Sequence, residues 1–206
     1  MTSLGTNLSH NPIEWGSDSG TSKFEEDGTY VATGDGTVWV DIDFPIVIRT
    51  VAANVPILKT LQGNILVPQW QVNDYVICEG QELIHKWKEG SEVFWHVHII
   101  TNGTDITDRY INWEIEYTWV NTNGVLESNT TITNEIIIPA NTPDRTMLIM
   151  SIGSFTPING NIGGHVFARL RRIASTGTAP AGDPFCSMLQ LHVECDTIGS
   201  REISSK

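Results

Sequence analysis

HKWKEGSEVFWHVHIITNGTDITDRYINWEIEYTWV, residues 85–120, contains two runs whose residues alternate in character. In the first, Val93, Trp95, Val97 and Ile99 share one face, and Phe94, His96, His98 and Ile100 share the other. In the second, Ile111, Trp113, Ile115, Tyr117 and Trp119 alternate with Asn112, Glu114, Glu116, Thr118 and Val120. A period of two belongs to strands, because successive side chains point to opposite faces of a sheet. Four of the chain's seven Trp lie here: Trp87, Trp95, Trp113 and Trp119. The two strands therefore anchor the core. Between them, Asn102-Gly103 is a turn pair, so the spacing predicts a hairpin or a neighbouring antiparallel pair.

Outward from this stretch, composition narrows the class. The 206 residues fit one large β domain or two small ones, and 40% hydrophobic residues suffice for a core. Twelve basic against 24 acidic residues give a formal charge of -12, which repels a phosphate backbone and disfavours nucleic-acid binding. No apolar run is long enough to span a membrane as a helix. The opening MTSLGTNLSHNPIEW lacks the basic and apolar regions of a secretory signal. Cys78, Cys186 and Cys195 are odd in number and widely spaced, which suits neither a disulfide framework nor a zinc site. The simplest expectation is a reduced protein that folds inside a cell.

Residues 1–36 are rich in Gly, Ser, Thr, Asn and Asp, with isolated aromatics at Trp15, Phe24 and Tyr30. That composition predicts an extended arm that docks elsewhere, or a flexible leader. Residues 37–206 form the expected domain. Strands are predicted at 37–43, 46–51, 65–67, 75–78 and 82–87, then, after the central pair, at 130–139, 146–153, 162–172 and 185–196. Turn residues separate them, and no amphipathic helix or repeat interrupts. Short, regularly spaced strands imply an all-β antiparallel sandwich that is jelly-roll-like.

Several polar residues alternate with the apolar faces. Glu114, Glu116, Arg169, Arg171, His192 and Glu194 fall opposite the core side, as do His96 and His98. Such a face is either solvated or paired across a subunit interface, where Arg–carboxylate forks fix register. Gly90-x5-His96-x-His98 reproduces half of a cupin metal motif, since histidines two apart on a strand share a face. The following Glu is replaced by Asn102 and Gly103, and no second motif precedes His165, so a packed or interface role is the stronger reading. Glu114 and Glu116 have a spacing that a glycosidase pair would tolerate, with nothing else to support it. No nucleophile elbow or phosphate loop is present. Asn7, Asn102 and Asn129 open glycosylation-type triplets that mean little without secretion.

Several blocks, in order, resemble a family of tailed-phage virion proteins. They are Val38-Trp39-Val40-Asp41-Ile42-Asp43-Phe44-Pro45, then His85-Lys86-Trp87-Lys88-Glu89-Gly90 with His96-Val97-His98, then Trp113 to Tyr117, Arg169 to Arg172, and His192 to Glu202. The resemblance covers about residues 37–206, and Ile99 departs from the Trp common after the second His. It implies a non-enzymatic structural component of a virion, jelly-roll-like and homotrimeric, without cofactor or metal. Such a protein would be assembled in the bacterial host cytoplasm and attached to capsid, collar or tail through its N-terminal arm. The alternatives are a receptor- or glycan-binding tip and, more remotely, a cupin-like metalloprotein. On these grounds the candidate interface residues are His96, His98, Glu114, Glu116, Arg169, Arg171, His192 and Glu194, and the candidate docking residues are Trp15, Phe24 and Tyr30.

Overall fold

A computed structural model describes residues 14–25, 29–48 and 54–200. Among them the ordered elements are all strands. They are β1 (Glu14–Ser17), β2 (Gly20–Phe24), β3 (Tyr30–Gly34), β4 (Val38–Pro45), β5 (Ile57–Gln62), β6 (Ile65–Gln69) and β7 (Tyr75–Ile77). There follow β8 (Gln81–Glu82), β9 (Val93–Ile100), β10 (Arg109–Val120), β11 (Thr130–Ile138), β12 (Met147–Phe155), β13 (His165–Ile173) and β14 (Phe185–Cys195).

Two antiparallel sheets face each other. One has the order β12-β9-β14-β4, with the β5–β6 hairpin joined to the start of β14 through Phe185 and Gln69. The other has the order β11-β10-β13-β7, with β8 also on β13. Strict alternation places Val93, Trp95, Val97 and Ile99 of β9 inside, against Ile111, Trp113, Ile115 and Tyr117 of β10. Trp95 and Tyr117 meet between the layers with ring centres 6.1 Å apart, and Trp70 meets Trp113 edge-on at 5.2 Å. Burying such aromatic surface is the main driving force for closure, worth about 25 cal/mol per Å².

The predicted hairpin at Asn102-Gly103 does not form, because β9 and β10 lie in different sheets. Each has a fully apolar face, and two such faces in one sheet would still need a second layer to cover them. Placing one strand in each layer lets them cover each other. The chain therefore crosses over after β9. The crossing is pinned by Thr101 Oγ1 donating to Pro143 O at 2.8 Å and by Gly103 N donating to Asp144 Oδ1 at 2.6 Å.

Among the described residues of the leader, β1, β2 and β3 form an antiparallel meander. Gly34 closes it at a φ of 51°, with Ser19 O so near that a Cβ would lie 2.0 Å from it. The meander is tied to the sandwich by Ala32 N donating to Asp196 O and Thr37 Oγ1 donating to Glu194 Oε1. Two further expectations shift. The strand expected over 46–51 is absent from 46–48, and its remainder lies outside the described residues. The one expected over 82–87 shrinks to β8, after which Trp87 forms a lone bridge with Cys195.

Candidate functional site

The eight candidate interface residues fall on two outer faces, with the core between them. On the β9–β14–β4 face, β14 is central, and its register sets His192 beside Asp41 and Gln190 beside both His96 and Asp43. His192 Nδ1 lies 2.6 Å from Asp41 Oδ1. His96 Nε2 lies 2.9 Å from Gln190 Oε1, and Gln190 Nε2 donates to Asp43 Oδ1 at 2.6 Å. The rings of His98, His96 and His192 stand in a row, 5.3 and 5.9 Å apart. Burial pushes the His96 pKa below its usual range; Gln190 and Asp41 oppose that shift, while His98 and His192 add to it. A neutral imidazole therefore prevails there.

Trp39 completes this face. Its indole stacks on His192 with centres 4.9 Å apart and planes at 9°, and meets Phe94 edge-on at 5.7 Å. Glu194 ends the row, receiving Lys88 Nζ at 2.9 Å and Thr37 Oγ1 at 2.8 Å. Burial would raise its pKa, but the Lys88 and Thr37 hydrogen bonds and the Lys88 charge outweigh it and hold the carboxyl low.

The opposite face is a charge ladder. Register pairs Glu114 with Arg171 and Glu116 with Arg169 across β10 and β13. Arg169 Nη2 stands 3.0 Å from both Glu114 Oε1 and Glu116 Oε2, and Arg171 Nη1 is 3.7 Å from Glu114 Oε1. Arg171 also donates to Asn73 Oδ1 at 2.8 Å, and Asn129 Nδ2 donates to Glu116 Oε1 at 2.6 Å. Each carboxylate is thus bound to a cation or an amide within the chain, an arrangement unlike that of a free acid and base across a glycosidic bond.

The docking candidates come together on the meander. Trp15 meets Phe24 edge-on at 6.3 Å, and Phe24 meets Tyr30 at 5.6 Å. Tyr30 donates to Ser22 Oγ at 3.0 Å. Trp15 and Phe24 are exposed, so the three rings present an apolar patch on a small sheet.

Among the described residues no group of three or more His, Cys, Asp or Glu has the geometry to hold a metal ion. The histidine row is strung along the sheet, with His96 spent on Gln190 and His192 on Asp41. Sequence reasoning missed Asp41, Asp43, Gln190 and Trp39 as members of this face. Their alternation with Val40, Ile42 and Phe44 was the available signal, but only the β4–β14 register shows which of them meet the histidines.

No protein-family model matches the chain, and no curated protein matches it. Among solved structures, a chain of infectious bursal disease virus Gx strain overlays 85% of it at 6% identity and a TM-score of 0.36. A chain of the Gt strain overlays 86% at 8% identity and the same TM-score. The protein spans only 38% and 41% of the lengths of those two chains.

Proposed function

We propose that the protein is a non-enzymatic structural component of a tailed-phage virion, attached to capsid, collar or tail through its N-terminal segment. The observation that carries this reading is the winding of the sandwich. β4, β9, β12 and β14 fill one sheet and β7, β10, β11 and β13 the other, in the orders β12-β9-β14-β4 and β11-β10-β13-β7. That order supports a jelly-roll reading, a fold used by viral capsid and lectin domains. The ordered sequence blocks resembling phage virion proteins point the same way. So does the chemistry of the two faces, where charged groups are engaged with one another.

In this reading Trp15, Phe24 and Tyr30 dock onto another virion protein, burying an aromatic patch that the isolated chain leaves wet. Copies associate, with a homotrimer expected, and His96, His98, Glu114, Glu116, Arg169, Arg171, His192 and Glu194 are the candidate contacts. Assembly takes place in the host cytoplasm before the particle leaves. Purified particles should contain the chain in fixed stoichiometry by quantitative mass spectrometry. Trp15→Ala with Phe24→Ala should strip it from particles while the isolated protein keeps its melting temperature. Particles that lack the wild-type chain would end this reading.

A receptor- or glycan-binding tip is favoured by one observation. Trp39 is 46% exposed and held rigid by His192 and Phe94, as a sugar-stacking platform requires. A glycan array that stays silent for the wild type, or that is unaffected by Trp39→Ala, removes it.

A further inference from the structure

The β5–β6 hairpin has no layer of its own to cover. It leaves the sheet where Gln69 meets Phe185, and β5 pairs only with β6 among the described residues. Yet Ile57, Leu58, Ile65 and Leu66 are each more than half exposed. Register places Ile57, Lys59, Ile65 and Val67 on one face, and Leu58, Thr60 and Leu66 on the other. A water-exposed ribbon with apolar residues on both faces marks an interaction site.

Its charge is equally unusual. Residues 44–73 contain no Asp or Glu, and only Arg49 and Lys59 carry charge, in a chain of net charge -12. Lys59 is the hairpin's sole ionic group. Two hairpins meeting face to face would set like charges together, so a symmetric hairpin–hairpin contact is disfavoured.

A matching receptor lies on the opposite sheet. An open groove of about 450 Å³ runs over β13 and β10, lined by Ile77, Phe167 and Leu126 together with Glu116, Glu127 and Arg169, whose charge is taken up by Glu114 and Glu116. Ile77 and Leu126 are exposed, and Phe167 is seated on Gly80, where a Cβ would lie 2.5 Å from the ring. Glu116 is held by Arg169 and Asn129. Glu127 binds through its main chain, accepting from Thr118 Oγ1 and donating to Trp119 O. The groove thus combines apolar surface with the exposed Glu127 on its lining, which fits an apolar ribbon bearing one cation.

We infer that the hairpin of one copy seats Ile57 and Ile65 in the β7–β13–β10 groove of a second copy, with Lys59 directed to Glu127. Donor and acceptor are different patches, so the contact is head-to-tail and repeats from copy to copy, closing into a ring when the rotation allows. The inference is independent of where on a particle the protein sits: variants that stay assembled would overturn it alone, whereas a monomeric wild type would also remove the expected homotrimer.

The test uses the full chain in analytical ultracentrifugation. Wild type should sediment as an oligomer, and Ile65→Asp and Phe167→Asp should each sediment as monomers with unchanged near-ultraviolet circular dichroism. If either loses that spectrum, Ile65→Ser or Phe167→Ser takes its place. Mixing the two monomeric variants should yield a two-chain species, because one keeps its groove and the other its hairpin. Lys59→Glu should weaken association about tenfold, and adding Glu127→Lys should restore it. A monomeric wild type, a variant that stays assembled, or a mixture that stays monomeric overturns the inference.

Discussion

His192 Nδ1 stands 2.6 Å from Asp41 Oδ1 across β14 and β4, and the Trp39 indole covers the same imidazole. Both partners of the pair are partly exposed, so solvent screens them, and the hydrogen bond is worth about 0.5–1 kcal/mol. Asp41→Ala and His192→Ala should each lower urea-unfolding stability by about that amount, and the double variant should lose less than their sum. Strict additivity in this double-mutant cycle would show the contact to be idle.

Acid should loosen the fold through His96. Its folded pKa lies below the ordinary value of 6.5 because burial disfavours the cation. The unfolded chain thus takes up the proton more readily than the folded one. Stability is complete above 6.5 and falls as pH drops through that value toward the folded pKa. Glu194, also held low, adds a second loss below its ordinary 4.5. Urea midpoints measured across this range should decline on acidification, and His96→Gln should flatten the upper part of the decline. An unchanged slope would contradict the assignment.

Trp113 is fully buried against Trp70. Trp113→Ala should cost about 3–5 kcal/mol through lost burial and the cavity left behind. Trp15→Ala, at an exposed position, should leave the melting temperature nearly unchanged. Thermal unfolding of the two variants side by side checks the contrast.

Burial pushes the Cys78 and Cys186 thiols up to about 12, so both stay protonated at neutral pH. Neither should react with a thiol-specific disulfide reagent until denaturant is added. Rapid labelling of either in the native protein would mean that the core opens far more often than its packing implies.

Much of the sandwich was legible because β9, β10, β13 and the second half of β14 alternate cleanly, and burial follows that alternation residue by residue. What failed was pairing. Asn102-Gly103 reads as a local turn, whereas the choice between hairpin and crossover depends on which apolar face must cover which. Residues 57–62 escaped notice because Ile57-Leu58-Lys59-Thr60-Leu61-Gln62 puts apolar residues on both faces, a pattern without a core side. Near Cys186, a register shift leaves Ser187 exposed and breaks the simple count of two. The candidate residues alternate with the core positions along their strands, but their division between two faces rests on long-range strand order, which spacing along the chain does not encode.

β14, the last strand among the described residues, lies between β9 and β4 and also holds β6. During synthesis the partners on either side of it must wait with bare hydrogen-bonding edges until residues 185–195 have left the ribosome. A chain cut short before that point keeps a slot in the middle of its sheet and cannot close around its tryptophans.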